Sequence, residues 1–174
     1  MSYTWDAAPT PIGLLVAVFA GEALVSVDVT ETDPLWEVER VARLLFETPV
    51  HEPGAARELA RQADEYFDGR RRSFDLPLDW RLAGTGFAAQ ALQAITEIPY
   101  GETASYGEIA ALAGRPRAAR AVGSACRTTP FSLVVPVHRV IRSDGSVGEY
   151  GSSPETKRFL IELEREALAA AATT

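Results

Sequence analysis

The stretch SYGEIAALAGRPRAARAVGSACR, residues 105–127, contains two short helical patterns separated by a tight turn. The patterns cover residues 105–113 and 118–127, and the segment between them contains Gly114, Arg115 and Pro116. Two short helices joined in this way predict a helix-turn-helix, whose second helix commonly contacts DNA. An ordinary helical hairpin has the same pattern, so the motif alone leaves both interpretations open.

Charge is distributed unevenly along the chain, whose net charge is -7. Residues 1–80 carry 7 basic and 15 acidic side chains. Between Glu108 and Asp144 the sequence has no acidic residue and six arginines, namely Arg115, Arg117, Arg120, Arg127, Arg139 and Arg142. Such a basic stripe is typical of a surface that contacts phosphates, but ordinary solvated faces also show it.

The first half of the chain combines strand and helix patterns. Residues 12–19 and 23–29 are rich in apolar and β-branched side chains, and the Gly21-Glu22 pair between them predicts a hairpin. Apolar residues then recur at helical spacing in residues 36–45 and 59–67. These patterns predict an α/β N-terminal domain.

A linker is predicted at Gly84-Thr85-Gly86, which divides the chain into domains of residues 1–82 and 83–174. The second domain is predicted to be mainly helical, with further helices over residues 87–98 and 155–166. Residues 132–141 are β-branched and predict an extended segment. The Ala/Thr-rich tail from Ala167 is predicted to fray.

Composition excludes several classes of protein. The chain has one cysteine, Cys126, and two histidines, which are too few for an internal disulfide or a zinc cage. We therefore expect neither a metal nor a cofactor. The sequence also lacks an apolar run of eighteen residues free of charge, so we expect a cytoplasmic protein without a membrane partner.

Four segments in the second half resemble the O6-alkylguanine-DNA alkyltransferase family, also called methylated-DNA-protein-cysteine methyltransferases. Their order and spacing match as well, and they are IPYGET (98–103), SYGEIA (105–110), ARAVG (119–123) and PVHRV (136–140). In the first half, PIG (11–13), YFDG (66–69) and FDLPL (74–78) are similar to the N-terminal domain of this family. The resemblance covers nearly the whole chain.

The resemblance implies a ribonuclease H-like N-terminal domain and a winged-helix-like C-terminal domain. The helix-turn-helix of the family binds the minor groove of double-stranded DNA, and the alkylated guanine is rotated out of the stack into a pocket. This flipping is needed because the alkylated O6 lies on the pairing edge of the base. The implied partner is DNA containing O6-alkylguanine, and the implied process is DNA repair.

Residue roles follow from the resemblance position by position. Arg120 corresponds to the arginine that enters the duplex and fills the gap left by the flipped base. Tyr106 corresponds to the tyrosine that flanks the rotated nucleotide and contacts guanine N3. Further DNA contacts are expected at Ala119, Arg127, Thr129, Arg139 and Tyr150.

The nucleophile of the family is missing at the expected position. A cysteine usually stands between Pro136 and His138, and this chain has Val137 there. The family's thiolate is activated by the histidine, which a glutamate orients, and these residues correspond to His138 and Glu164. A valine has no lone pair, so the relay is present without a group to activate. Cys126 is expected to be a buried helix residue and not an acceptor.

Three functions follow from this departure. The first is a damage sensor that binds O6-alkylguanine without alkyl transfer and passes the lesion to another pathway, such as nucleotide excision repair. The second is a methyltransferase inactivated by a cysteine-to-valine change; Thr129, which stands where the family usually has asparagine, counts against a single inactivating change. The third is a repurposed enzyme in which His138 acts as a general base toward a small alkylated substrate.

Overall fold

A computed structural model describes residues 1–149 and 153–174 of the chain. Over these residues it shows a mixed α/β fold with six α-helices and two sheets. The chain forms two compact units, of which the first contains Met1–Leu82 and Pro130–Val134. The second contains Ala83–Thr129 and Val135–Thr174. Tyr150, predicted above to contact DNA, lies outside the described residues.

The sheet of the first unit has four strands in the order β3-β2-β1-β4. The strands are β1 (Tyr3–Thr10), β2 (Gly13–Ala20), β3 (Ala23–Thr30) and β4 (Val50–His51). The predicted hairpin of β2 and β3 is confirmed, and the two strands pair antiparallel. β1 was not predicted, because its sequence YTWDAAPT lacks a run of β-branched residues; its pairing with β2 along all eight residues forms the strand.

Both predicted helices of the first unit are confirmed as α1 (Pro34–Leu45) and α2 (Arg57–Phe67). The side chain of Asp33 accepts a hydrogen bond from the backbone of Leu35 at the start of α1, which satisfies one of the open amide groups of the first turn. Val41 of α1 packs with Tyr3, Val18 and Val25 of the sheet in one buried apolar cluster. This burial is the main stabilising contribution to the helix.

Pro130–Val134 returns to the edge of the first sheet beside β3. Val27 donates its backbone hydrogen bond to Pro130 at 2.7 Å, and the backbone of Ser132 donates to Val27 at 3.1 Å. The hydroxyl of Ser132 also donates to Asp28 at 2.8 Å. The predicted extended segment over residues 132–141 is wrong over most of its length: residues 132–134 form a turn, Val137–Arg139 form a short 3-10 helix, and only Val140–Ile141 form a strand.

The second unit contains α3 (Phe87–Thr96), α4 (Tyr106–Leu112), α5 (Ala119–Arg127) and α6 (Pro154–Ala172). The short strands β5 (Ala104–Ser105) and β6 (Val140–Ile141) pair in parallel. The predicted helices are confirmed, but α6 continues to Ala172, so fraying from Ala167 was wrong. Alanine has the highest intrinsic helix propensity, which accounts for the continuation. Among the described residues, no helix is long and apolar enough to span a membrane.

Candidate nucleic-acid interface and buried polar network

The start of α4 is fixed by a capping box. The hydroxyl of Ser105 accepts a hydrogen bond from the backbone of Glu108, and the Glu108 carboxylate accepts one from the backbone of Ser105. Tyr106 is therefore the first residue of α4 and has a defined position. Its ring lies beside α5, since a Cβ placed on Gly123 would be 3.9 Å from Cε1 of Tyr106.

The solvent-facing side of α5 is polar and basic. Val122 and Ala125 are buried on the inner side of the helix. Arg120, Ser124 and Arg127 are exposed, and their spacing of four and three residues places them on one face. Ala119, the first residue of α5, is half-buried. This face of α5 is available for contact with DNA phosphates and bases.

A buried polar network joins the 3-10 turn at Val137–Arg139 to α6. His138 and Glu164 are each about 1% exposed as side chains, and His138 Nε2 lies 2.7 Å from Glu164 Oε1. Arg139 donates to the same carboxylate through Nε and Nη2, each at 3.0 Å, and to the carbonyl of Ile98 at 2.8 Å. The backbone of Gly101 adds a fourth donor to Glu164 at 3.1 Å.

The network fixes the charge of both partners. Burial alone would raise the pKa of Glu164, but hydrogen bonds from His138 and Arg139 outweigh it and lower that pKa to about 2. Burial lowers the pKa of His138 despite its contact with Glu164. At neutral pH the pair is therefore a carboxylate and a neutral imidazole. Because a carboxylate only accepts hydrogen bonds, His138 carries its proton on Nε2.

Two residues predicted to contact DNA are buried. Arg139 is 6% exposed, and its guanidinium is held by Glu164 and Ile98. Arg139 therefore belongs to the buried network, and its guanidinium is poorly placed for direct contact with DNA. Thr129, directly before the segment that returns to the first sheet, is 7% exposed, which is also a poor position for direct contact.

Lys157 was missed by the sequence analysis. It lies on α6 and is 1% exposed, and its Nζ donates to the hydroxyl of Tyr106 and to the carbonyl of Glu149, each at 3.3 Å. A lysine on an amphipathic helix usually indicates a solvated position. The available signal was its spacing, since Lys157 precedes Leu160 by three residues and Glu164 by seven, on one side of the helix.

The site provides no activated thiol. Val137 is 3% exposed and occupies the first position of the 3-10 turn, directly before His138. Burial raises the pKa of Cys126 to about 12 even though Lys157 acts in the opposite direction. Cys126 is the one cysteine of the sequence. Within residues 1–149 and 153–174, no group of three His, Cys, Asp or Glu side chains is arranged to hold a metal ion.

The second unit corresponds to a known DNA-binding domain. Residues 86–166 match the family described as 6-O-methylguanine DNA methyltransferase, DNA binding domain. Fold and site therefore define a DNA-binding protein of the alkyltransferase class. The chain belongs to the methylated-DNA–protein-cysteine methyltransferase family, a DNA repair family, as its relatives show over nearly the full length.

Among these relatives, the methylated-DNA–protein-cysteine methyltransferase of Mycobacterium leprae is 42% identical over 156 residues, which are 90% of this chain and 88% of the relative. The constitutive enzyme of Bacillus subtilis is 37% identical over 166 residues, covering 95% and 96%.

Solved structures agree with this assignment. The Mycobacterium tuberculosis O6-methylguanine methyltransferase superposes with a TM-score of 0.81 at 36% identity, covering 95% of this chain and 94% of that chain. The M. tuberculosis protein in complex with DNA gives a TM-score of 0.80 at 37% identity, covering 96% and 94%.

Proposed function

We propose that this protein recognises O6-alkylguanine in double-stranded DNA by minor-groove binding and base flipping, without transferring the alkyl group. The observation that carries the proposal is Val137, which precedes His138 in the buried turn where the resemblance to the family leads us to expect the acceptor cysteine. In this proposal the relatives' recognition chemistry is kept and their transfer chemistry is lost.

Loss of transfer follows from the chemistry of the remaining side chains. A displacement at the alkyl carbon needs a thiolate, and valine provides no lone pair. Burial raises the pKa of Cys126 to about 12, so its thiol stays protonated at pH 7. Cys126 is therefore a poor substitute acceptor.

Retention of DNA binding is supported by the two helices. Arg120 and Arg127 project from one exposed face of α5, and Tyr106 begins α4 beside that helix. We assign to Arg120 the filling of the gap in the stack and to Tyr106 the contact with the flipped base. The M. tuberculosis relative has been solved in complex with DNA. We further propose that the second unit is winged-helix-like and the first ribonuclease H-like.

The buried network has a structural role in this proposal. His138, Arg139 and Glu164 hold the turn that contains Val137 against α6. Removing one member of a buried ion pair leaves an uncompensated charge and costs on the order of 3 to 5 kcal/mol. The network is therefore retained for stability even when it has no nucleophile to activate.

A complex that does not end in transfer persists until other proteins act on it. We propose nucleotide excision repair proteins as these partners and the cytoplasm as the location. The methyl groups of Val137 would line the pocket beside the alkyl substituent, with an apolar contact of roughly 1 to 2 kcal/mol.

The test is a competition titration by fluorescence anisotropy at fixed salt, using matched duplexes with guanine or O6-methylguanine. We expect preferential binding of the lesion, an unchanged protein mass after incubation, and loss of the preference in Arg120→Ala. A mass increase of one methyl group would refute the non-transfer function. Equal binding of both duplexes would refute lesion recognition and favour a small alkylated substrate at His138.

The variant Val137→Cys addresses the alternative of an inactivated methyltransferase. Methylation of the new cysteine at the rate of the M. leprae relative would show that valine is the only defect. Failure to react, with lesion binding preserved, would show that the surrounding site has also diverged.

A further inference from the structure

We propose that the outer face of α1 is a docking surface for a short basic helix of another protein. This surface is named the α1 face, and it is formed by Leu35, Trp36, Glu39, Arg43 and Phe46. It lies on the first unit and contains none of the residues assigned to DNA binding or to the buried network. The inference is therefore independent of lesion recognition.

The α1 face is the side of the helix opposite the core of the first unit. Val38 and Val41 are buried on the inner side of α1. Glu39 follows Trp36 by three residues and precedes Arg43 by four, and both spacings place side chains on the same side of a helix. All five residues of the α1 face are exposed. They form one surface along the length of the helix.

Three large apolar side chains of the α1 face are unusually accessible. Trp36 is 64% exposed, Phe46 is 95% exposed and Leu35 is 49% exposed. Together they present roughly 400 Å² of apolar surface, since a whole aromatic side chain has about 150 to 250 Å². Apolar patches of this size on a soluble protein often mark interaction sites.

Phe46 is strained as well as exposed. It ends α1 with a left-handed backbone, at a φ of 55° and a ψ of 26°, and its amide donates to the carbonyl of Ala42. Glycine is the usual residue with this backbone at a helix end, because a side chain is disfavoured there. The ring of Phe46 gains almost no burial in exchange. A ring that adds strain and is not buried within the chain indicates a contact outside it.

The charges around the α1 face select the kind of partner. Residues 31–47 carry five carboxylates and two arginines. One of these arginines, Arg40, is already paired with Glu37 at 2.8 Å and with Asp28 at 3.7 Å. The surface is therefore acidic, which disfavours DNA and anionic membranes and favours lysine and arginine on the partner.

The size of the α1 face fits a short segment better than a second copy of this chain. A stable interface between two folded proteins buries roughly 800 Å² on each partner, about twice the apolar surface available here. Trp36 and Phe46 are ten residues apart, which is about 15 Å along the helix axis. A partner helix of about three turns spans this distance, with apolar side chains at both ends and a basic residue beside Glu39.

The experiment uses the full-length protein and a fluorescent peptide of about 14 residues, in which leucines at helical spacing form one face and lysines the other. A peptide with glutamate in place of lysine is the charge control. Fluorescence anisotropy at fixed salt measures both affinities. We expect the lysine peptide to bind at least about tenfold more tightly than the glutamate peptide.

Substitutions in the α1 face identify where the peptide binds. Trp36→Ser and Phe46→Gly should each weaken binding of the lysine peptide about tenfold, as expected for exposed aromatic anchors. Phe159→Ser, which changes an exposed aromatic residue of α6, is the matched control and should change the affinity by less than about twofold. Both α1 variants should keep the wild-type preference for O6-methylguanine duplexes.

Phe46→Gly also tests the interpretation of the strained residue. Glycine relieves the left-handed strain, so the midpoint of thermal unfolding should rise by roughly 2 to 4 °C. A lower midpoint would show that the ring stabilises the chain itself and would overturn the inference. If Trp36→Ser does not fold by circular dichroism, Phe46→Gly still decides.

Three binding results would overturn the inference. The first is a dissociation constant of the lysine peptide weaker than about 1 mM. The second is equal binding of the lysine and glutamate peptides, or equal binding by the wild type and the α1 variants. The third is self-association in analytical ultracentrifugation that Trp36→Ser or Phe46→Gly abolishes, because a second copy would then occupy the α1 face.

Discussion

The imidazole of His138 and the carboxylate of Glu164 are separated by 26 residues in sequence and by 2.7 Å in space, and both side chains are about 1% exposed. Arg139, the neighbour of His138, donates to the same carboxylate. One glutamate of α6 therefore holds two consecutive residues of the 3-10 turn, which ties the position before them, Val137, to the helix.

The first prediction concerns the stability of this pair. Glu164→Gln removes the charge that balances Arg139, and we expect a loss of about 3 to 5 kcal/mol in the free energy of unfolding by urea titration. Glu162→Gln is the matched control, because Glu162 is exposed on the same helix; its effect should be below about 0.5 kcal/mol. Equal effects of the two substitutions would contradict the role assigned to the network.

The second prediction concerns acid. The pKa of Glu164 is lowered from 4.5 to about 2, so the unfolded chain binds a proton more readily. The contribution of Glu164 to the free energy of unfolding is therefore complete above pH 4.5 and is lost as the pH falls toward 2. Burial likewise lowers the pKa of His138 from 6.5, which adds a loss below pH 6.5. When the free energy of unfolding is plotted against pH, the curves of the wild type and of Glu164→Gln should converge as the pH falls. Parallel curves would contradict the lowered pKa of Glu164.

The third prediction concerns alkali. The pKa of Lys157 falls from 10.5 to about 8 on folding, so between these values the unfolded chain binds more protons. Stability from this residue therefore increases with pH from 8 to 10.5. In chemical denaturation, the free energy of unfolding of the wild type should increase relative to that of Lys157→Met over this pH range. A difference that stays constant with pH would show that Lys157 titrates normally.

The fourth prediction concerns DNA contacts of α5. Arg127→Ala should weaken binding to guanine and O6-methylguanine duplexes by the same factor and reduce the salt slope by about 1, as expected for a phosphate contact. Arg120→Ala should instead reduce the preference for the lesion. The exposed Arg165 on α6 provides the control, and its replacement by alanine should leave both quantities unchanged. The same loss in all three variants would indicate nonspecific charge attraction.

The fifth prediction concerns the returning segment. Ser132→Ala removes the hydroxyl that donates to Asp28 at 2.8 Å. Burial raises the pKa of Asp28, so this buried carboxyl needs its hydrogen-bond partners. We expect Ser132→Ala to lower the free energy of unfolding by about 1 to 3 kcal/mol, as measured by thermal unfolding. Ser73→Ala, at an exposed position, should have little effect. A Ser132→Ala protein as stable as Ser73→Ala would show that the backbone hydrogen bonds alone hold the segment.

Sequence reasoning located most of the elements because their signals are local. The β2–β3 hairpin has turn residues between two apolar runs, and α4 and α5 flank a short glycine-proline turn. β1 has no such signal, since its strand structure comes from pairing with β2. The same reasoning holds for Pro130–Val134, whose partner β3 lies about a hundred residues earlier.

In the candidate site, the sequence identified His138 and Glu164 only through the family resemblance. It misplaced Arg139, because an arginine in a basic stripe is indistinguishable in sequence from one paired with a distant carboxylate. It missed Lys157 for a related reason, since burial of a charged side chain depends on partners from other elements. Long-range pairing of charges is the information that a single sequence does not display.

Pro130–Val134 also has a consequence for dissecting the protein. The match to the family's DNA-binding domain runs through residues 86–166 and includes this segment, yet the segment belongs to the compact unit of β3. Phe131 is fully buried there, edge-on to Trp80 with ring centres 5.2 Å apart. A fragment cut at Ala83 would leave this phenylalanine uncovered by its strand and its tryptophan. Such a truncation therefore creates an exposed apolar patch that promotes aggregation, and the two units are better expressed together than apart.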